Sequence, residues 1–191
     1  MNFRDHTILG KTGLKVSRLG IGAGYGVPAS ACEKAFHEHG VNVFYWSLPR
    51  RGGMKRAIQN LAPKHRDDLV VVIQSYDHSG FLIETMFDRQ LRALGIDCAD
   101  IFLLGWFNRI SPGRVLDAAA ALKAKGKAKF VAMSGHHRPT FGKLAQQKNC
   151  PIDIFMVRYN AAHRGADGAA LQVFLPCPDP AAVRGPGGGH R

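Results

Sequence analysis

The sequence predicts an α/β fold in which a parallel sheet is covered by helices. Segments rich in β-branched residues alternate with segments of helical apolar spacing, and the links between them are short. The clearest strands are residues 69–73 and 101–104, whose nearly continuous apolar runs are typical of strands buried on both faces. Such alternation is found in closed barrels and in doubly wound sheets, and the rhythm alone does not separate the two.

The elements follow in a regular order. Residues 7–9 and 14–16 flank a Gly-Lys-Thr-Gly turn and predict a short hairpin. Strands are then predicted at 19–22, 41–45, 69–73, 101–104, 130–133 and 152–157, and helices at 31–38, 54–61, 81–94, 115–125 and 140–147. Ser30 is expected to cap the first helix and Gly40 to end it. The third helix is expected to place Leu82, Met86, Gln90 and Leu94 near one face, with Phe87 and Leu91 beside it.

Composition favours one soluble domain in the cytoplasm. No apolar run reaches the roughly 18–20 residues that a membrane span needs, and the first residues lack the layout of a signal peptide. The formal net charge is +12, but Lys and Arg are spread along the chain, which favours a solvated surface over nucleic-acid binding. The four cysteines are far apart and predict isolated thiols. They are Cys32, Cys98, Cys150 and Cys177.

The end of the chain has a different character. From residue 175 onward it is rich in Pro and Gly and has no periodicity, which predicts disorder. We therefore expect one folded strand–helix domain over residues 1–174 and a disordered tail over 175–191. An eight-stranded barrel would stop after its sixth strand in this chain, leaving open edges through which copies could self-associate.

Several segments resemble the aldo/keto reductase family, in consistent order over roughly residues 7–165. ILGKTGLKVSRLGIGAGYG resembles the family's opening hairpin and first strand, and GVNVFYWS lies where the family has G-[IV]-x-x-F-D-T-A. VVVIQSY, ADIFLLGWF, GKAKFVAMSGHH and IDIFMVRYN are similar to its third to sixth strands. The resemblance implies a partial (β/α)8 TIM barrel with an N-terminal β-hairpin, about six strand–helix units and a divergent site.

The resemblance also implies reduction of a carbonyl compound by NADPH. The family protonates the carbonyl oxygen with a Tyr, whose pKa is lowered by a Lys that an Asp holds, and orients the carbonyl with a His. Here Tyr45 stands at the Asp position, Arg50 or Arg51 at the Tyr position, Tyr76 at the Lys position and Gly105 at the His position. The usual tetrad is therefore absent.

Three of these residues are candidate replacements at the tetrad positions: Tyr45, Arg50 and Tyr76. An Arg beside a Tyr would stabilise its phenolate and imitate the family's Tyr–Lys chemistry. The alternative is that both tyrosines are packing aromatics of the core or rim.

The residues that contact the cofactor in this family are retained only in part. Ser134 matches the Ser of the Ser-Asn pair that holds the nicotinamide carboxamide, and Asn160 is the second candidate cofactor residue. Met156 replaces the sixth-strand Gln and cannot make the same hydrogen bonds. The units that hold the NADPH phosphates in the family come after the sixth strand and are absent from this chain.

Three further residues are expected to line a substrate pocket: Trp106, His136 and Arg158. No metal site is expected, because His136, His137 and His163 have no convincing carboxylate partner. The leading function is aldo/keto reductase-type oxidoreductase acting on a small carbonyl compound. The alternatives are a non-catalytic binding or interaction domain and an inactive truncated product.

Overall fold

The computed structural model describes residues 4–47, 52–147 and 149–157. Its N-terminal part is an antiparallel hairpin of β1 (His6–Ile8) and β2 (Lys15–Ser17), joined by a short 3-10 turn. Gly13 adopts a positive φ of 72° where the chain turns back, a conformation that glycine adopts without steric cost. The hairpin predicted from the sequence is confirmed.

Six parallel strands follow, each hydrogen-bonded to the next in chain order. They are β3 (Gly20–Gly22), β4 (Val43–Trp46), β5 (Val70–Ser75), β6 (Ala99–Leu104), β7 (Ala128–Gly135) and β8 (Ile154–Val157). This unbroken order is that of a barrel and differs from a doubly wound sheet, in which the order reverses. Within the described part of the chain, β3 and β8 each pair on one side only, so the sheet is a partial barrel.

Five helices connect the strands and cover the outer face of the sheet. They are α1 (Ala29–His39), α2 (Gly52–His65), α3 (Ile83–Leu94), α4 (Gly113–Ala124) and α5 (Arg138–Ala145). None of the described helices is long and apolar enough to cross a membrane. The predicted alternation of strands and helices is confirmed, with differences at helix ends.

Three details of the helices differ from the predictions. Pro28, and not Ser30, occupies the N-cap position of α1. α2 continues through Pro63 to His65 and is thus longer than the predicted segment 54–61, although proline has no N–H for the helical hydrogen bond. α3 begins two residues later than expected, because the Asp77 carboxylate accepts the Leu82 N–H and holds the preceding turn.

The buried face of α3 agrees only in part with the predicted one, because it contains Phe87, Leu91 and Leu94 but not Leu82 or Met86. Ile83, Phe87, Leu91 and Leu94 are buried, whereas Leu82 and Met86 are 48 % and 42 % exposed. The two candidate faces lie one residue apart along the helix. Apolar residues on both made them difficult to separate by spacing alone.

Two apolar layers stabilise the sheet. The larger one lies between the sheet and the helices and contains Phe44, Ile73 and Phe102. The smaller one lies on the inner face, where Val70 and Ile101 pack with the hairpin residue Val16. Alternate residues of each strand therefore face opposite layers, as the pleat requires.

The hairpin closes the end of the barrel at which the strands begin. Asn42, just before β4, accepts the Ser17 N–H at 2.7 Å and donates to the Lys15 carbonyl at 2.9 Å. It also donates to the Asp68 carbonyl at 3.0 Å, just before β5. We call this end the floor and the opposite end, at which the six parallel strands end, the mouth.

Candidate functional site

Three polar side chains meet at the mouth, at the ends of neighbouring strands. The Tyr45 hydroxyl on β4 and the Tyr76 hydroxyl just after β5 both donate to Oε1 of Gln74, the latter at 2.9 Å. Gln74 is 3 % exposed and lies on the same face of β5 as the inward-facing Val72. We call Tyr45, Gln74 and Tyr76 the mouth cluster. Parallel barrels keep their chemistry at this end.

The described surroundings keep Tyr45 neutral. Burial is the main cause that raises its pKa far above that of an ordinary phenol, and the neighbouring Tyr76 adds to the effect. Arg50 and Arg51, which were expected to favour a phenolate, lie outside the described residues. Within the described part, the mouth cluster is an uncharged hydrogen-bonded unit.

Gly105, which follows β6, leaves space for the mouth cluster. A Cβ atom at this position would overlap Nε2 of Gln74 and lie 3.0 Å from the Tyr76 ring. Its N–H donates to the Ser75 carbonyl at 2.8 Å, and its carbonyl lies 3.0 Å from Nε2 of His78. The position at which the family has a His is therefore occupied by side chains of the neighbouring strand.

Trp106 projects from the mouth in a strained conformation. Its φ is 61°, which is rare for a bulky side chain. The ring is 65 % exposed and meets the Tyr76 ring edge-on, with 5.3 Å between centroids. Backbone strain at an exposed aromatic residue points to a functional surface.

Ser134, near the end of β7, supports the Trp106 loop. Its Oγ accepts the Trp106 N–H at 3.2 Å, and its carbonyl accepts the Phe107 N–H at 2.8 Å. The hydroxyl lies 3.5 Å from the Leu104 carbonyl, beyond the usual range for an O–H···O bond. The Ser134 proton is therefore available to a ligand.

His136 lies on the next loop of the mouth and is exposed. Asn108 fixes this loop, since its Oδ1 accepts the N–H of His136 at 2.6 Å and that of His137 at 3.3 Å. The His137 ring contacts the Thr140 hydroxyl through Nδ1 at 2.8 Å. The described residues contain no group of three or more His, Cys, Asp or Glu that could hold a metal ion.

Below the mouth cluster is an apolar cavity of about 350 Å³ on the inner face of the sheet. Side chains from all six strands line it, among them Ile21, Val43, Leu103, Ala132, Ile154 and Met156. Tyr45 also lines it and thus connects the cavity with the mouth cluster. The site therefore combines an apolar chamber with a few convergent polar groups, as ligand sites commonly do.

The described structure brings together four of the predicted residues: Tyr45 and Tyr76 through Gln74, Trp106 against Tyr76, and Ser134 beneath Trp106. Of the other candidates, His136 lies on the neighbouring loop of the mouth and has no described contact with these four residues. Arg50, Arg51, Arg158 and Asn160 lie outside the described residues. Sequence reasoning missed Gln74. Its signal was a polar residue at an inward-facing position of an otherwise apolar strand.

A sequence profile described as the aldo/keto reductase family matches residues 34–170. The match covers most of the chain, which therefore belongs to this family. No curated protein matches the sequence.

Solved structures share the fold at low sequence identity. An aldo/keto reductase from Klebsiella pneumoniae in complex with NADP and acetate has a TM-score of 0.73 at 22 % identity. A second aldo-keto reductase structure from Klebsiella pneumoniae, in complex with NADPH, has a TM-score of 0.74 at 24 % sequence identity. Both matches cover 90 % of this chain and 66 % of the Klebsiella chain. A putative aldo-keto reductase from Pseudomonas aeruginosa has a TM-score of 0.72 at 24 % sequence identity, and the match covers 90 % of this chain and 73 % of that protein. The chain thus spans about two thirds of the Klebsiella proteins.

Proposed function

We propose that the mouth supports NADPH-linked reduction of a small carbonyl compound, with the mouth cluster in place of the family's charged tetrad. The observation that carries the proposal is the pair of phenol hydroxyls on one buried amide, at the ends of adjacent strands and above an apolar cavity. The family assignment supports the reaction class. Arg50, Arg158, Asn160 and His136 remain candidate site residues within this proposal.

The residues at the mouth fit one end of the cofactor. Ser134 carries a hydroxyl whose proton has only a long contact to the Leu104 carbonyl, so it would donate to the oxygen of the nicotinamide carboxamide. A bound NADPH supplies the hydride for carbonyl reduction. Met156 lies close by on β8 and provides an apolar wall.

Tyr76 is the better placed of the two tyrosines to donate a proton. Its side chain is 43 % exposed, whereas Tyr45 lies deeper and lines the cavity. As the carbonyl carbon receives the hydride, its oxygen gains negative charge and takes the Tyr76 hydroxyl proton, which solvent then replaces. Tyr45 holds Gln74 in position and so acts through it.

Titration with NADPH, followed by absorbance at 340 nm in the presence of an aromatic aldehyde, tests the proposal. We expect Tyr76→Phe to abolish most of the turnover while NADPH binding persists. Tyr25→Phe is the matched control, because it removes a phenol hydroxyl from another loop of the mouth: that side chain is 91 % exposed and takes no part in the hydrogen bonds of the mouth cluster. Turnover by Tyr76→Phe equal to that of the unaltered chain would overturn the assignment of Tyr76.

A second candidate is a binding domain without catalysis. The raised pKa of Tyr45 favours it, because a cluster without a charged partner is a weak acid catalyst but a good hydrogen-bonding surface. Binding of NADPH or a carbonyl compound without NADPH oxidation would support this candidate. Absence of any binding would contradict both candidates for this chain.

A further inference from the structure

Gln74 lies at the centre of the mouth with one side of its amide unused. Its Oε1 accepts both tyrosine hydroxyls, and a carbonyl oxygen has two lone pairs, so its acceptor capacity is filled. Its Nε2 carries two donors, and no described residue accepts a hydrogen bond from them. The side chain as a whole is 3 % exposed, yet Nε2 itself is not fully buried. A donor that keeps accessible surface and has no acceptor among the described residues can reach the acceptor atom of a ligand.

The position of Nε2 identifies where that ligand enters. Nε2 lies over Gly105, at the place where a side chain of residue 105 would begin. Gly105 does not have the positive φ that would itself require glycine. Residue 105 therefore has to be glycine for steric reasons, because the Gln74 amide occupies the space that a side chain would need.

We propose that Gln74 is the residue that binds and orients the carbonyl oxygen of the ligand, through Nε2, and that Gly105 is a specificity-determining position that keeps this donor in place. This inference deepens the proposed function by naming the residue that binds the carbonyl group. It rests on the proposed function for one point, namely that a carbonyl compound binds at the mouth. Because Gln74 has donors but no acceptor left to offer, the ligand atom must be an acceptor, and amines and other cations are disfavoured.

The neighbouring rings indicate the rest of the ligand. Tyr76 and Trp106 meet edge-on and are both substantially exposed beside Gln74. Exposed aromatic surfaces beside a polar donor favour a ligand with a flat apolar part next to its carbonyl group. An aryl ketone has this chemistry, so acetophenone is a suitable probe, and ethylbenzene is the same shape without the oxygen.

The side-chain amide signal of Gln74 in a ¹⁵N–¹H NMR spectrum tests the proposal without NADPH. Its assignment comes from the signal lost in Gln74→Met, and the amides of Gln59 and Gln90 are internal references. We expect acetophenone to shift the Gln74 signal in a saturable manner, whereas ethylbenzene leaves it unchanged. No shift with acetophenone, or equal shifts with both compounds, would overturn the proposal.

Gly105→Ala provides the second test. The new methyl group would overlap the flexible end of Gln74, so the side chain must move while the backbone stays. We expect acetophenone to bind about three- to tenfold more weakly, the value of one neutral hydrogen bond. Gly113→Ala is the matched control, because nothing lies within 4 Å of its Cβ position. Unchanged affinity in Gly105→Ala would count against the proposal.

A double-mutant cycle separates this role from a general loss of structure. In the Gln74→Ala background the amide that Gly105→Ala would displace is already absent, so Gly105→Ala should weaken binding by much less than it does in the unaltered chain. Fully additive losses would contradict the coupling. These binding tests use no NADPH, so their outcome is independent of turnover. If acetophenone binds through Gln74 but the chain does not oxidise NADPH in the turnover assay, this inference is supported and the proposed reaction is refuted.

Discussion

Asp100 offers the clearest test of how the floor of the barrel is held together. It is 1 % exposed at the start of β6, and its Oδ2 accepts the Val71 N–H at 2.8 Å and pairs with Arg66 at 2.9 Å. Its Oδ1 pairs with Lys129 at 2.8 Å. One carboxylate thus joins β5, β6 and β7. Asp100→Ala removes all three contacts and leaves the Val71 N–H without this acceptor.

The size of the effect follows from the exposure of each partner. A buried N–H that loses its acceptor costs about 1–3 kcal/mol. The Arg66 side chain is 26 % exposed and keeps its bonds to the Leu69 and Cys98 carbonyls, and Lys129 is 47 % exposed, so each charge pair adds about 1 kcal/mol or less. We expect a total loss near 3 kcal/mol, which lowers Tm by roughly 10 °C in a chain of this size.

Urea denaturation followed by circular dichroism at pH 7 measures this loss. Asp100→Asn should lose only about 1 kcal/mol, because its amide oxygen still accepts the Val71 N–H. Asp97→Ala, an exposed carboxylate three residues earlier, is the control and should change stability by less than about 0.5 kcal/mol. The reasoning is refuted if Asp100→Ala loses less than about 1 kcal/mol, or if Asp100→Asn loses as much as Asp100→Ala.

Three further predictions concern the mouth. Gly135→Ala should lower the free energy of unfolding by roughly 3 kcal/mol, because its Cβ would overlap the rigid Phe107 carbonyl; an unchanged urea midpoint would contradict this. Trp106→Asn should alter stability by only about 1 kcal/mol, since Asn adopts a positive φ more readily and the lost ring is mostly exposed, yet it should weaken acetophenone binding; equal affinity would exclude Trp106 from the site. Tyr45 should ionise above the pH range of an ordinary phenol, so absorbance at 295 nm should differ between the unaltered chain and Tyr45→Phe only at extreme pH. The stability that neutral Tyr45 contributes is complete below the pKa of a phenol in the unfolded chain and should decrease as pH rises above that value. An absorbance difference that develops at about pH 10, the ordinary pKa of a phenol, would contradict the burial argument.

The order of elements could be predicted because each one is specified locally. The apolar run that forms β5 has too many β-branched residues for a helix, and Gly40 ends α1 where predicted. The buried face of α3 could not be predicted in the same way. Which of two adjacent apolar stripes is buried depends on the neighbouring sheet, and that information is not local.

The site was predictable only in part, for a related reason. Tyr45 and Tyr76 were identified through the resemblance, but their hydrogen bonds depend on register across two strands. In that register Tyr45 lies opposite Val72, one inward-facing position before Gln74. The steric role of Gly105 depends on a side chain from the adjacent strand. Pairwise relations of this kind appear only when the strands are aligned in space.

The hairpin at the floor has a practical consequence for handling the protein. It places the beginning of the described chain beneath the barrel, with Asn42 and Ser17 fastening it there, while the mouth lies at the far end of every strand. A biotin tag or surface linker attached at the N-terminus would therefore anchor the molecule by its base. On a biosensor chip, the immobilised protein would present Trp106 and the mouth cluster to the flowing solution.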